Sequence, residues 1–161
     1  AMEFLMTYGW AILVVLIAIG ALAYFGVLNP ARFLPNSCTL FPGLACTEFK
    51  VGDNIAAIPP WNGQVDLIVR NGIGDNIVLT GATLPATFAC AAATTDFATA
   101  GTFAALPGTL GDGAQATIRF PACNTGAAAS RFKADITLTY SVGTGGLSHV
   151  RTGAMVAQVE P

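Results

Sequence analysis

From Phe4 to Leu28 the chain runs for twenty-five residues without a charge. Seventeen large apolar or aromatic side chains lie in that stretch, including Phe4, Leu5, Met6, Trp10, the unbroken block Ile12 to Ile17, Ile19, Leu22, Phe25, Val27 and Leu28. A run of roughly 18 or more such residues reads as a membrane-spanning helix. At about 1.5 Å rise per residue it extends roughly 37 Å, enough to cross a hydrocarbon core with some tilt. The apolar residues surround the helix axis with no polar stripe, so every face has to be buried against something. Leaving them in water would cost roughly 25 kcal/mol at about 1.5 kcal/mol per side chain, which excludes a free soluble monomer.

Two surroundings can cover such a helix: lipid, or a bundle of identical helices from other copies. Exchange between them has little net hydrophobic cost, because lipid tails are about as apolar as Leu side chains. A subunit can therefore be held in a membrane and then moved into a fibre. In a bundle, Phe4, Leu5, Trp10, Leu13, Leu16, Gly20 and Phe25 are expected to form the packed helix core. Gly9, Gly20 and Gly26, with Ala11, Ala18, Ala21 and Ala23, offer small surfaces for close helix approach, although glycine is also simply common in membrane helices.

A secretory signal peptide fits badly. No basic segment precedes the run, the run exceeds the usual apolar length, and no small-residue cleavage site follows it. The expectation is a helix retained in the mature chain, with a leader removed upstream of Ala1. Asn29 before Pro30 is pushed out of the helical region, so the helix is expected to end near Leu28. Glu3 is the only charge before Arg32. One reading is that a first-turn carboxylate is favoured by the helix dipole, worth about 0.3 to 1 kcal/mol. The other is that Glu3 meets the α-amino group of a neighbouring copy's Ala1 and sets axial register in an otherwise apolar core. A buried carboxylate without a partner would be costly or would become neutral.

Charged residues make up 10% of the 161-residue chain and apolar residues 53%, so part of the surface must meet something other than water. Seven Lys and Arg stand against nine Asp and Glu with no block of either sign, which gives no footprint for nucleic acid.

Beyond Pro30 the character changes to short segments punctuated by turn residues. Residues 30–45, with Pro30, Pro35 and Pro42, read as an extended connector between a helix over 1–29 and an outer β domain over 46–161. The clearest strand is 132–142, where Phe132, Ala134, Ile136, Leu138, Tyr140 and Val142 alternate with polar residues. Gly143-Thr144-Gly145-Gly146 predicts a hairpin into a strand over 147–159. Further strands are predicted at 46–51, 65–70, 76–84 and 114–120. The Ala/Thr-rich stretch 86–105 is read as loop with room for one short strand. The pattern predicts an antiparallel sandwich or barrel, and with the helix an α+β chain.

Cys38, Cys46, Cys90 and Cys123 all lie outside the apolar helix, and an even number there points to disulfides in an oxidising setting. Four cysteines permit three pairings. Cys38 with Cys46, around Pro42-Gly43, and Cys90 with Cys123 are favoured, each worth roughly 2.5 to 4 kcal/mol in the chain-entropy model. Structural zinc is disfavoured because neither pair has the short spacing it uses, so no metal is expected.

Catalytic constellations are not apparent, and neither an enzyme nor a cofactor is expected. His149 is the only histidine, and its neighbour Ser148 faces the other side of a strand, so the two cannot act as nucleophile and base. Asp53, Asp66, Asp75, Asp96, Asp112 and Asp135 lie beside turn residues or on alternating strands, where turn-making and solvated roles are common. Gly72-Ile73-Gly74-Asp75-Asn76 lacks the lysine and helix of a phosphate loop and is read as a hairpin turn. Trp61, between Pro59-Pro60 and Asn62-Gly63, is the candidate for surface recognition of a sugar or a partner. Plugging the edge of the core is the commoner use of such a residue.

The segment Glu3-Phe4-Leu5-Met6-Thr7-Tyr8-Gly9-Trp10-Ala11-Ile12, continuing to Asn29-Pro30, closely resembles the mature N-terminus of archaeal type IV pilins, whose class III signal peptide is cut just before the helix. The resemblance implies a helical filament core with an immunoglobulin-like outer sandwich, processed by a prepilin peptidase and assembled by an ATPase-driven platform. It also implies the register role for Glu3 with Ala1. Many bacterial pilins carry the key glutamate at the fifth mature position, whereas here it is third. Archaellins usually begin with a different, glycine-rich segment. The expected function is the major subunit of an extracellular type IV pilus-like filament serving adhesion, held in the cytoplasmic membrane before assembly. The alternatives are an archaellin-like motility subunit and a monomeric, membrane-anchored binding module.

Overall fold

The computed structural model describes residues 1–26, 34–54, 61–99 and 101–161. The chain divides into two compact units, Ala1–Pro35 and Asn36–Pro161. The first carries helix α1, Met2–Tyr24. The predicted stop at Asn29-Pro30 lies outside the described residues. Among its described residues the second carries ten strands in two antiparallel sheets, an immunoglobulin-like sandwich.

The first sheet has the order β1 (Ser37–Thr39), β10 (Ser148–Gln158), β9 (Arg131–Val142), β4 (Ile77–Thr83), β7 (Gly108–Leu110). The second has the order β2 (Leu44–Gly52), β3 (Gly63–Asn71), β8 (Gln115–Cys123), β5 (Thr94–Thr99), β6 (Thr102–Ala105). Period-two alternation places the side chains. On β9, Phe132, Ala134, Ile136, Leu138 and Tyr140 are buried, while Lys133 and Asp135 are exposed. Facing them from the other sheet are Val65, Leu67 and Val69 of β3 and Ile118 and Phe120 of β8, none more than 1% exposed. The predicted hairpin joins β9 to β10, from Arg131 opposite Gln158 to Ser141 opposite Ser148. Its turn uses positive φ at Gly143 (68°) and Gly145 (79°), a conformation that glycine adopts without steric cost.

Three expectations change. The second unit begins at Asn36, inside the stretch read as connector, because Ser37–Thr39 pair with Ala154–Val156 of β10. The stretch 86–105 holds a 3-10 turn at Ala86–Phe88 and two strands rather than one, with Thr95 buried in place of a larger apolar residue. Gly72–Asn76 is not a hairpin turn: it carries the chain from β3 in one sheet to β4 in the other.

That crossing is held by Asn71, which is fully buried. Its amide nitrogen donates to the Asp75 carbonyl at 2.8 Å and the Leu110 carbonyl at 3.1 Å, and its side-chain oxygen accepts from the Ile73 N–H at 3.0 Å. A buried amide with its valences met in this way fixes the loop instead of costing stability. The two disulfides are Cys38–Cys46 and Cys90–Cys123, the pairings favoured from the sequence. Cys38 lies on β1 and Cys46 on β2, so the first bridge ties one sheet to the other.

Candidate functional site

None of the residues of α1 is buried. Phe4 is 62% exposed, Trp10 70% and Phe25 71%; Leu5, Leu13 and Leu16 are exposed as well. Gly20 has open space around it, with nothing within 4 Å of where a Cβ would sit. The residues expected to form a helix core thus lie on all sides of one continuous helix. On one face Phe4, Tyr8, Ala11, Ile12, Val15 and Leu16 line a shallow apolar groove, and the Phe4 and Tyr8 rings meet at 4.8 Å. Spacings of three and four residues put these side chains on one stripe.

At the N-terminal end, Glu3 lies in the first turn and is the only acidic residue there. Its carbonyl accepts from the Thr7 hydroxyl at 2.8 Å, and the Leu5 N–H donates to the Ala1 carbonyl at 3.2 Å. The Thr7 hydroxyl is thereby satisfied within the helix, a common arrangement for a threonine surrounded by apolar groups. The helix is long and apolar enough to cross a membrane, as an anchor or as a signal sequence. Two disulfides in the other unit fit an extracellular, oxidising environment.

The remaining candidates have structural settings. Trp61 is half-buried at the start of the segment leading into β3. His149 packs against Tyr140 at 5.5 Å, and Tyr140 stacks on Phe41 at 5.2 Å with the rings 2° from parallel. Ser148 pairs with Ser141 and His149 with Tyr140, so the two side chains leave the strand on opposite faces. Asp112 accepts from the Gly74 N–H at 3.1 Å and Asp75 from the Asn76 N–H at 2.7 Å, both within loops. Asp96 accepts from the Thr117 N–H at 2.6 Å and the Gly101 N–H at 3.2 Å.

Sequence reasoning missed a polar cluster on the outward face of the second sheet. Asp66 on β3 accepts from Arg119 on β8 at 2.9 and 3.1 Å, a bidentate pair, and from Gln64 at 2.6 Å. The Arg119 guanidinium also lies 3.9 Å from the centre of the Phe103 ring. The hydrogen bonds to Asp66 hold the guanidinium above its already high ordinary pKa, with the charges of Asp66 and Asp96 adding to the effect and desolvation opposing it. Every group in this cluster has a partner, so it organises the sheet surface and leaves no reactive group free. Among the described residues, no three His, Cys, Asp or Glu side chains gather as a metal ligand set. No protein-family model matches the chain, and no curated protein matches it in sequence.

Proposed function

We propose that the chain is the structural subunit of an extracellular, type IV pilus-like filament, with α1 as the polymerisation helix and the sandwich as the outer domain. The observation that carries this reading is the contrast in burial. The sandwich encloses its own apolar core, whereas α1 has none of its 23 residues buried and is apolar on every side. A helix of that kind is one part of a core whose other parts are supplied from outside. Lipid supplies them before assembly and sister helices supply them afterwards, with little net hydrophobic cost for the exchange.

The resemblance of Glu3 to Ile12 to archaeal type IV pilins supports the same reading. In it, a prepilin peptidase releases the subunit and an ATPase-driven platform inserts it into the growing fibre. Glu3 meets the α-amino group of a neighbouring Ala1 and fixes the axial step, and open heterologous contacts then repeat the step into a helix of subunits. The outer face serves adhesion.

Electron microscopy of the full chain, extracted from membranes and sheared from cells, tests the proposal. Fibres with α1 in the core are the expected result; detergent-bound single chains with no fibres would instead favour a membrane-anchored module. Loss of swimming with attachment intact, on deleting the chain, would favour an archaellin-like role. Glu3→Ala should abolish or slow incorporation into fibres while membrane insertion continues, and normal fibre yield would remove the register role.

A further inference from the structure

β10 is covered along only part of its outer side. Its partner there, β1, pairs with Ala154, Met155 and Val156 and then stops. The chain turns away closely over Gly153, where a Cβ would lie 2.5 Å from the Thr39 carbonyl oxygen and 2.7 Å from the Leu40 side chain, an approach that only a glycine permits. From Ser148 to Thr152 the outer side of β10 has no strand partner among the described residues.

An open edge is a template for another strand, and proteins usually blunt it. The other edges of this sandwich carry such devices. β1 and β7 have three residues each, and Pro107 precedes β7. β6 has four residues. β2 is bulged between Cys46 and Glu48 and carries Lys50, which pairs with Glu160 at 3.2 Å. β4, beyond its contact with β7, is bulged between Leu79 and Gly81. The segment Ser148–Thr152 has no proline, glycine or bulge, and its one charged residue is the exposed Arg151. It also bears Val150, 60% exposed, and follows Leu147, 84% exposed; these are the large apolar side chains most exposed in the second unit among the described residues.

We propose that this edge pairs with the same edge of a second copy, antiparallel and centred on Val150. The sequence Ser148-His149-Val150-Arg151-Thr152 suits that register. Val150 meets Val150, Ser148 meets Thr152, and His149 meets Arg151. Main-chain hydrogen bonds supply the affinity, as in other strand-addition contacts. Such a contact is two-fold symmetric. In the filament reading, this contact joins a subunit of one filament to a subunit of a neighbouring one. This last step rests on the filament reading; the pairing of edges does not.

The test compares the full chain with Val150→Lys, which places a charge on an exposed edge position and leaves the core untouched. Sedimentation in detergent micelles should show dimers for the native chain, loss of the dimer for Val150→Lys and its retention for Val150→Thr, with the same circular dichroism for all three. Electron micrographs should show laterally paired filaments that become single in Val150→Lys. Unchanged dimers and unchanged filament pairs in Val150→Lys, or a native chain that is monomeric in detergent and unpaired in filaments, would overturn the inference. Dimers that respond to Val150→Lys in a chain that never forms filaments would uphold the edge and sink the filament reading.

Discussion

The helix and the sandwich are both rich in apolar residues, but they satisfy them differently. In the sandwich, alternation along β3, β8 and β9 divides each strand between a core side and a solvent side, and the two core sides close on each other. In α1 the apolar residues go round the axis, so no orientation of that helix alone buries them. The sandwich closes a core with its own contacts, whereas α1 buries none of its residues; in the proposed reading its covering comes from outside the chain. A substitution in the first should therefore act on folding, and one in the second on partnership.

The largest separation of the two effects should come from Ile136→Ala. Ile136 is 0% exposed on β9, and truncating it should destabilise the sandwich by about 2 to 5 kcal/mol, read as a lowered unfolding midpoint. Helix content in detergent should stay unchanged. The reverse experiment is Leu16→Lys, at the middle of α1, where a charge should disfavour membrane insertion by about 2.5 to 3.5 kcal/mol. Membrane-bound chain should fall sharply while the melting of the sandwich is unaltered. A coupled loss in both readouts from either variant would break the comparison.

The smallest effect should come from Arg119→Met, which opens the bidentate pair with Asp66. Arg119 and Asp66 side chains are 33% and 21% exposed, so the pair is partly screened and its loss should cost at most about 1 kcal/mol by thermal unfolding. The sign with pH follows from the raised guanidinium pKa: the stability gained through Arg119 is fully present below the unfolded value and is lost only as strongly alkaline pH passes the folded one. Between neutral and mildly alkaline pH the difference between native chain and Arg119→Met should stay constant.

How much of this was legible in the sequence depended on contrast between neighbouring residues. The helix announced itself by charge exclusion, and β9 by strict alternation of large apolar with polar side chains. β5 and β6 lacked that contrast, since Ala and Thr sit on either side of a sheet with little preference, and Thr95 occupies a core position on β5. β1 and β7 are too short for a period to register. The crossing at Gly72–Asn76 has the composition of a hairpin turn, and only the distant Leu110 carbonyl, to which Asn71 donates, distinguishes it. The register role of Glu3 is of another kind, because its proposed partner belongs to a different copy.

The position of the Cys38–Cys46 bridge has a mechanical consequence. Tension arriving along the backbone from the first unit enters the sandwich at Asn36 and passes at once into β1, whose pairing with β10 spans only Ser37 to Thr39. Three residues of ladder would unzip under modest force. Cys38 lies within them and is bonded covalently to β2, so the pull is shared with the opposite sheet before the short ladder has to bear it alone.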